Sequence, residues 1–369
     1  MKTSFLYRSI FMYGSMQSVG HTVDYFVPRT RKLIVFYVMP RINSIPNMVR
    51  VYRDGKLHKE QCVPSSTNIV LYYLLWWYHH TMFLFRYFSS TERLVILAGH
   101  PVALFGMRIV KLFRQATYAY WIGDYFPPVH WSLIAFEKLK KYYHDRVPLT
   151  YYLSDRINRV MNSRVLHTPA RRTIMWGVKP PPTRKKAHIT NPFRMLFVGV
   201  VRPSQGIEDV LGCLRTLPGV HLSILGSCEP KLFSKYQHII RAYGLEKRIQ
   251  FPNRFIPNDE LVQEAKKCHV GIALYETGTH TATHYTDPGK VKTYIEFGLP
   301  VIMTDTSLIA GYIKKYSAGE VVNDPVSIPD ALGRIRRDYA KYQAGVAAFA
   351  RHFTYDRYYQ MSFVEFEGV

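Results

Sequence analysis

The run Tyr285-Thr-Asp-Pro-Gly-Lys-Val-Lys-Thr-Tyr-Ile-Glu-Phe-Gly-Leu-Pro-Val-Ile-Met-Thr304 reads as a turn, a helix and a strand in succession. Asp287-Pro288-Gly289 suits a turn that opens a helix, and Gly298-Leu-Pro300 suits its end. Residues 300–304 then have the short, apolar make-up of a buried strand. Lys290 falls in the first turn of the helix, beside amides that have no partner within it. Exposed amides with a cation next to them form a ready diphosphate site.

Working outward, the second half alternates strands near 194–199, 221–225, 249–251, 270–274 and 300–304 with helices near 206–217, 230–243, 258–267 and 289–298. The first half does the same from Arg31 onward. Strands are expected at 33–38, 93–98, 117–122 and 172–177, with helix-length segments at 66–88, 101–113 and 131–146. Such alternation builds a parallel sheet covered by helices on both faces. Between the halves lies Lys179-Pro-Pro-Pro-Thr-Arg-Lys-Lys-Ala187, proline-rich, basic and without apolar period, which suits a linker. The length of 369 residues also favours two domains. Ligands of doubly wound folds sit beyond the carboxyl ends of the strands.

In order and spacing, residues 191–325 resemble the donor-binding domain of family 4-like glycosyltransferases of the GT-B fold. That family's Pro-x-Lys-x-x-x-Tyr helix followed by Gly-x-Pro-Val is matched by Pro288, Lys290, Tyr294 and Gly298-Leu-Pro-Val301. Its strand and phosphate loop are matched by Phe197-Val-Gly-Val-Val-Arg-Pro-Ser-Gln-Gly206. Gly226-Ser-Cys-Glu229, Ile249-Gln-Phe-Pro252 and Ile256-Pro-Asn-Asp-Glu-Leu261 match further landmarks.

The resemblance implies two Rossmann-like domains facing a central cleft: 1–190 on the acceptor side, 191–340 holding a nucleotide-sugar, and 341–369 as a helix returning to the first domain. The donor site it implies comprises Gly199, Arg202, Gln205, Gly206, Asp287, Pro288, Gly289, Lys290, Thr293 and Tyr294. Two departures stand out. Gln205 replaces a phosphate-loop cation, and the family's paired glutamates, the later one contacting the ribose, fall on Tyr285 and Thr293. Glu296 lies near but is expected to face elsewhere.

In the first half the resemblance is looser. His100, in Leu97-Ala-Gly-His-Pro101, and Asp124, in Trp121-Ile-Gly-Asp-Tyr-Phe-Pro127, follow consecutive expected strands. The resemblance implies that His100 contacts the donor sugar and that Asp124 positions or deprotonates an acceptor hydroxyl. The implied reaction is transfer of a sugar from a nucleoside diphosphate to a glycan or lipid-linked acceptor, with retention at the anomeric carbon. Arg202, Lys290 and the helix amides stabilise the departing diphosphate, so neither metal nor cofactor is expected. The spacing of His280 and His284 suits a metal pair, but the zinc-protease glutamate is missing.

Composition adds the setting. The formal net charge is +23. Residues 1–190 hold 28 Lys/Arg and 8 Asp/Glu, a net +20, against 21 and 18, a net +3, in the remainder. A basic first half, with 28 Tyr in the chain and a Lys/Tyr-rich helix at 137–146, suits an anionic membrane surface. The segment 68–88 is near spanning length, but central histidines favour a buried or interfacial helix. Four cysteines without paired spacing fit the cytoplasm, and no secretion signal is legible. The expected enzyme is cytoplasmic, peripheral at the inner face of the membrane, and engaged in surface polysaccharide synthesis. Two alternatives carry over: a catalytically degenerate scaffold, motivated by the absent glutamates, and a nucleic-acid binder, motivated by charge but lacking any recognisable motif.

Overall fold

The computed structural model describes residues 6–15, 22–39, 46–127, 130–162, 171–181, 189, 191–276, 278–306 and 308–367. The chain divides into two units, residues 1–175 with 355–369, and residues 176–354.

The second unit is built on six parallel strands: β9 (Phe193–Val198), β10 (Val220–Leu225), β11 (Ile249–Gln250), β12 (Val270–Ala273), β13 (Val301–Thr304) and β14 (Gly319–Val322). Their spatial order is β11-β10-β9-β12-β13-β14, all pairings parallel. Counted within the unit this is 3-2-1-4-5-6, the doubly wound nucleotide-binding order, whose direction reverses between β9 and β12. The strands are mostly apolar, as expected where helices cover both faces, with Arg194, His221, Ser223, Gln250 and Glu320 interrupting the runs. Phe193, Leu222, Ile272 and Ile302 are buried in one cluster with Ile207, Leu211 and Tyr236 from the helices.

The first unit carries an eight-stranded sheet of β1 (Tyr7–Ser15), β2 (Thr30–Val38), β3 (Asn47–Arg53), β4 (Lys56–Val63), β5 (Leu94–Ala98), β6 (Ala116–Ile122), β7 (Leu149–Tyr152) and β8 (Arg171–Thr173). The order is β4-β3-β2-β1-β5-β6-β7-β8. Six strands are parallel, and the β3–β4 hairpin is added antiparallel on the β2 edge. The sequence pattern missed β1, which lies between β2 and β5, together with the hairpin and β7.

Two boundaries differ from expectation. The first unit ends at Met175 rather than 190, and residues 182–188 of the expected linker lie outside the described set. The helix Tyr339–Phe353 stays in the second unit, and only the helix Tyr355–Ser362 and the residues after it belong to the first. Aromatic packing accounts for that return: Phe363 meets Phe26, Trp121 and Tyr151 at ring-centroid distances of 5.1, 5.6 and 5.5 Å. Glu365 adds an ion pair to Arg172 at 2.9 Å.

Candidate functional site

The strand order of the second unit puts the loops after β9 and β12 side by side at the reversal point. After β9 the backbone turns at Gly199 with φ +102°, passes a short helical turn at Pro203–Gln205, and enters the helix Ile207–Leu214 through Gly206 with φ +63°. Gly206 is dictated by contact as well as conformation, since an added Cβ would lie 2.7 Å from Leu274 Cβ. The Gln205 side-chain oxygen accepts the Arg202 amide at 3.3 Å, so Gln205 holds the loop's own shape. Arg202 is exposed. Beside the loop a cavity of about 490 Å³ opens among the carboxyl ends of the strands, lined by Ser204, Gly206, Tyr275, Glu276, Thr304 and Asn323 among others. Thr304 fixes its wall, the hydroxyl accepting the Tyr275 amide at 2.8 Å and donating to the Tyr275 carbonyl at 3.0 Å.

Lys290 sits in the first turn of the helix Gly289–Glu296, as the sequence suggested. Its ammonium lies 3.7 Å from the centroid of Phe197 and 5.2 Å from that of Tyr275. The Nζ atom is buried and has no hydrogen-bond partner among the described residues. Burial, with Arg202 adding repulsion, lowers its pKa to about 7. An ammonium held by ring faces alone is short of anionic partners, and the surrounding positive charge favours a polyanion.

Other expected donor residues play different parts. Asp287 is buried, not directed to a ligand: it is ion-paired with Lys292 and accepts the Trp176 amide at 3.0 Å. Tyr294 is buried at the sheet, where its hydroxyl accepts the Val198 amide at 3.1 Å and donates to the Ile272 carbonyl at 2.8 Å, bridging β9 to β12. Both therefore frame the site. Pro288 is buried with Asp287, Gly289 is exposed, and the half-buried Thr293 donates back to the Gly289 carbonyl at 3.4 Å. Glu296 is turned aside, accepting the Lys179 amide at 2.8 Å. His280 pairs with Glu276 at 3.1 Å. Among the described residues no group of three or more His, Cys, Asp or Glu is arranged to hold a metal.

In the first unit, β5 and β6 are neighbours, so the loops carrying His100 and Asp124 emerge together. Both residues line a cavity of about 320 Å³ with Tyr73, Tyr120, Phe136 and Lys140. His100 Nδ1 accepts the Val102 amide at 3.2 Å, which leaves the ring proton on Nε2. Burial, reinforced by Lys140, lowers its pKa to about 3, so the imidazole is neutral and serves as a donor. Asp124 is open to solvent at the mouth, yet the protein crowding it raises its carboxyl above the ordinary range, against an opposing pull from Lys140.

The sequence reading took Lys140 as part of a basic, lipid-facing helix; the structure places it inside. Its side chain is 3% exposed and donates at 2.6 Å to both Glu137 Oε1 and the Asp124 carbonyl. Glu137 Oε1 also accepts the Phe126 amide at 3.1 Å, so this buried pair fixes the Asp124 loop. The signal was available, since Leu133, Phe136, Lys140 and Tyr143 form one stripe at helical spacing.

Residues 234–366 match the family model described as glucosyltransferase 3-like, C-terminal domain. No curated protein sequence matches the chain. Among solved structures, the chain is similar to sucrose-phosphate synthase from Thermosynechococcus elongatus, at TM-score 0.68 and 12% identity over 97% of this chain and 98% of that one. It is also similar to Anabaena Alr3699/HepE in complex with UDP, at 0.67 and 14% over 98% and 100%. A third likeness is to the lipopolysaccharide outer core galactosyltransferase WaaB in its apo form, at 0.64 and 17% over 98% and 100%.

Proposed function

We propose that this chain, which has the GT-B fold, is a retaining glycosyltransferase that moves a sugar from a nucleoside-diphosphate sugar to a glycan or lipid-linked acceptor. The observation that carries the reading is Lys290: a buried ammonium lacking an anionic partner among the described residues, in the first helical turn beside the reversal point of a nucleotide-binding sheet.

Each unit has a distinct task. In the second, Lys290, Arg202 and the amides opening the helix Gly289–Glu296 neutralise the diphosphate as the bond between the anomeric carbon and the phosphate oxygen breaks. The developing sugar cation resembles that of glycoside hydrolysis. In the first, Asp124 orients the acceptor hydroxyl and takes its proton as the oxygen bonds to the anomeric carbon, and a carboxyl raised by the protein crowding it is the better base. His100 donates to a sugar oxygen through Nε2. No metal enters these steps.

The HepE complex with UDP and the glucosyltransferase family model support testing a uridine donor and glucose first. The galactosyltransferase likeness and the charge of the first half support surface polysaccharide as product and an anionic membrane surface as the place of work.

The test is a thermal-shift screen against UDP, GDP and ADP and their sugar conjugates, repeated with Lys290→Ala. One nucleotide is expected to raise the melting temperature of the wild type alone. At 100 times its dissociation constant a ligand adds about 2.7 kcal/mol, readily visible. No shift with any nucleotide in a folded sample overturns the reading in favour of the degenerate scaffold.

A further inference from the structure

The helix Ile69–Tyr87 is apolar on every side, yet only one side is covered. Tyr72, Trp76, His79, His80, Phe83 and Leu84 face inward. On the other side Leu74 and Tyr78 are each 56% exposed. A helix apolar all round is ordinarily enclosed.

The short helix Met107–Phe113 lies alongside and extends the same face. Trp77 Nε1 donates to the Phe105 carbonyl at 3.2 Å, Phe85 meets Phe113 at 6.3 Å, and the Arg114 guanidinium stands 4.5 Å over Phe85. The matched steps from 77 to 85 and from 105 to 113 show the two helices running in parallel. From this second helix and the residue leading into it project Phe105 (58% exposed), Ile109 (62%), Leu112 (79%) and Phe113 (55%). A continuous apolar patch of this kind marks a contact surface.

Charge selects the occupant. Arg86, Arg108 and Lys111 are exposed among these apolar groups, with Arg114 at the seam. From residue 61 to 123 the sequence has one acid, Glu92, and Lys32 binds it at 2.9 Å. A second copy of the chain seated face to face would bring like charges together. Anionic lipid satisfies both parts of the surface, since long basic side chains reach headgroups while neighbouring apolar ones enter the acyl boundary. Among the described residues no helix is long and apolar enough to cross a membrane, so the contact is in-plane.

We propose that the paired helices Ile69–Tyr87 and Met107–Phe113 form the surface by which this protein lies on an anionic bilayer. The proposal rests on the peripheral-membrane part of the function above and moves the contact away from the helix Trp131–His144.

The experiment is flotation of the full chain with vesicles of equal parts phosphatidylglycerol and phosphatidylcholine. It compares wild type, Ile109→Glu/Leu112→Glu, and Lys138→Glu/Lys141→Glu, with UDP binding measured alongside as a check on folding. Each large side chain kept from the acyl region weakens partitioning about tenfold, so the Ile109/Leu112 variant is expected to lose roughly a hundredfold. UDP binding and the Lys138/Lys141 variant's flotation are expected to stay close to wild type. Equal flotation of the Ile109/Leu112 variant and wild type overturns this face while leaving membrane attachment standing. Failure of wild type to float at low salt overturns both. A wild-type dimer that the Ile109/Leu112 substitutions split, without flotation, overturns the lipid assignment in favour of self-association.

Discussion

The affinity of the protein for a nucleoside diphosphate is expected to fall as pH rises through neutrality, because the cation that should receive the phosphates is half discharged at about pH 7 in the ligand-free state. A diphosphate beside Nζ restores the charge, so binding above that pH takes up a proton. The charged fraction of Lys290 is about one half at pH 7, one tenth at pH 8 and one hundredth at pH 9, so affinity falls about tenfold per pH unit. The terminal phosphate, with a second pKa of about 6, is already fully ionised over that range and adds no slope. Calorimetry with UDP in two buffers of different ionisation heat reads the effect directly. Net proton uptake is expected to be near zero at about pH 6.5, where release from the terminal phosphate offsets uptake by the lysine, and to approach one at pH 8.5, with Lys290→Met removing the uptake and weakening binding by about 10- to 100-fold at pH 6.5. A flat affinity from pH 6.5 to 9 in the wild type, or a slope that survives in Lys290→Met, refutes the reasoning. The same ionisation acts on the ligand-free protein with the opposite sign. Between about pH 7 and the ordinary lysine value near 10.4, the unfolded chain binds a proton the folded one does not, so this group's contribution makes stability rise with pH.

Three further outcomes are expected. Asp287→Asn leaves the Lys292 ammonium buried without its carboxylate and should cost about 3–5 kcal/mol in urea unfolding, most of it regained when Lys292→Met is added. Gly206→Ala meets both a left-handed backbone and Leu274 and should lower stability by about 2 kcal/mol, seen as a drop in melting temperature, with nucleotide affinity reduced because the loop must shift. Asp124→Asn should leave UDP affinity unchanged while slowing sugar transfer by about 100-fold or more, and unchanged turnover would remove it from the reaction.

The second unit was legible as far as Thr304 because its strands there are short, mostly apolar runs bounded by Gly, Pro or polar turns and each helix has a separate period, whereas β14 and the helices Leu308–Tyr316 and Ile328–Arg337 went unread. The first unit was harder. The strand Tyr7–Ser15 carries Arg8 and Ser9 inside its apolar run, and nothing local says that this is a central strand paired on both sides. The Asn47–Arg53 and Lys56–Val63 hairpin was missed although Asp54-Gly55 stands between two strand-length runs. Its second strand, Lys-Leu-His-Lys-Glu-Gln-Cys-Val, is mostly exposed and gives no apolar alternation to read.

The place of Lys290 in the first turn of its helix and the turn at Gly206 were legible because loop and helix signals are local. The inward turn of Asp287 was not, because its reason is a lysine that the helix brings back under it. His100 and Asp124 share a cavity because β5 and β6 are adjacent, a fact of strand order beyond the reach of either motif.

The return of residues 355–367 to the first unit bears on the order in which the molecule is made. Phe363 and Phe366, both almost wholly enclosed, complete an aromatic cluster whose other members, Tyr25, Phe26, Trp121 and Tyr151, leave the ribosome hundreds of residues earlier. Synthesis usually lets the amino-terminal domain settle first. Here the contiguous unit, 176–354, has all its strands before the earlier-made one has its last helix, so the first unit gains the final members of its aromatic cluster only after the second has been made.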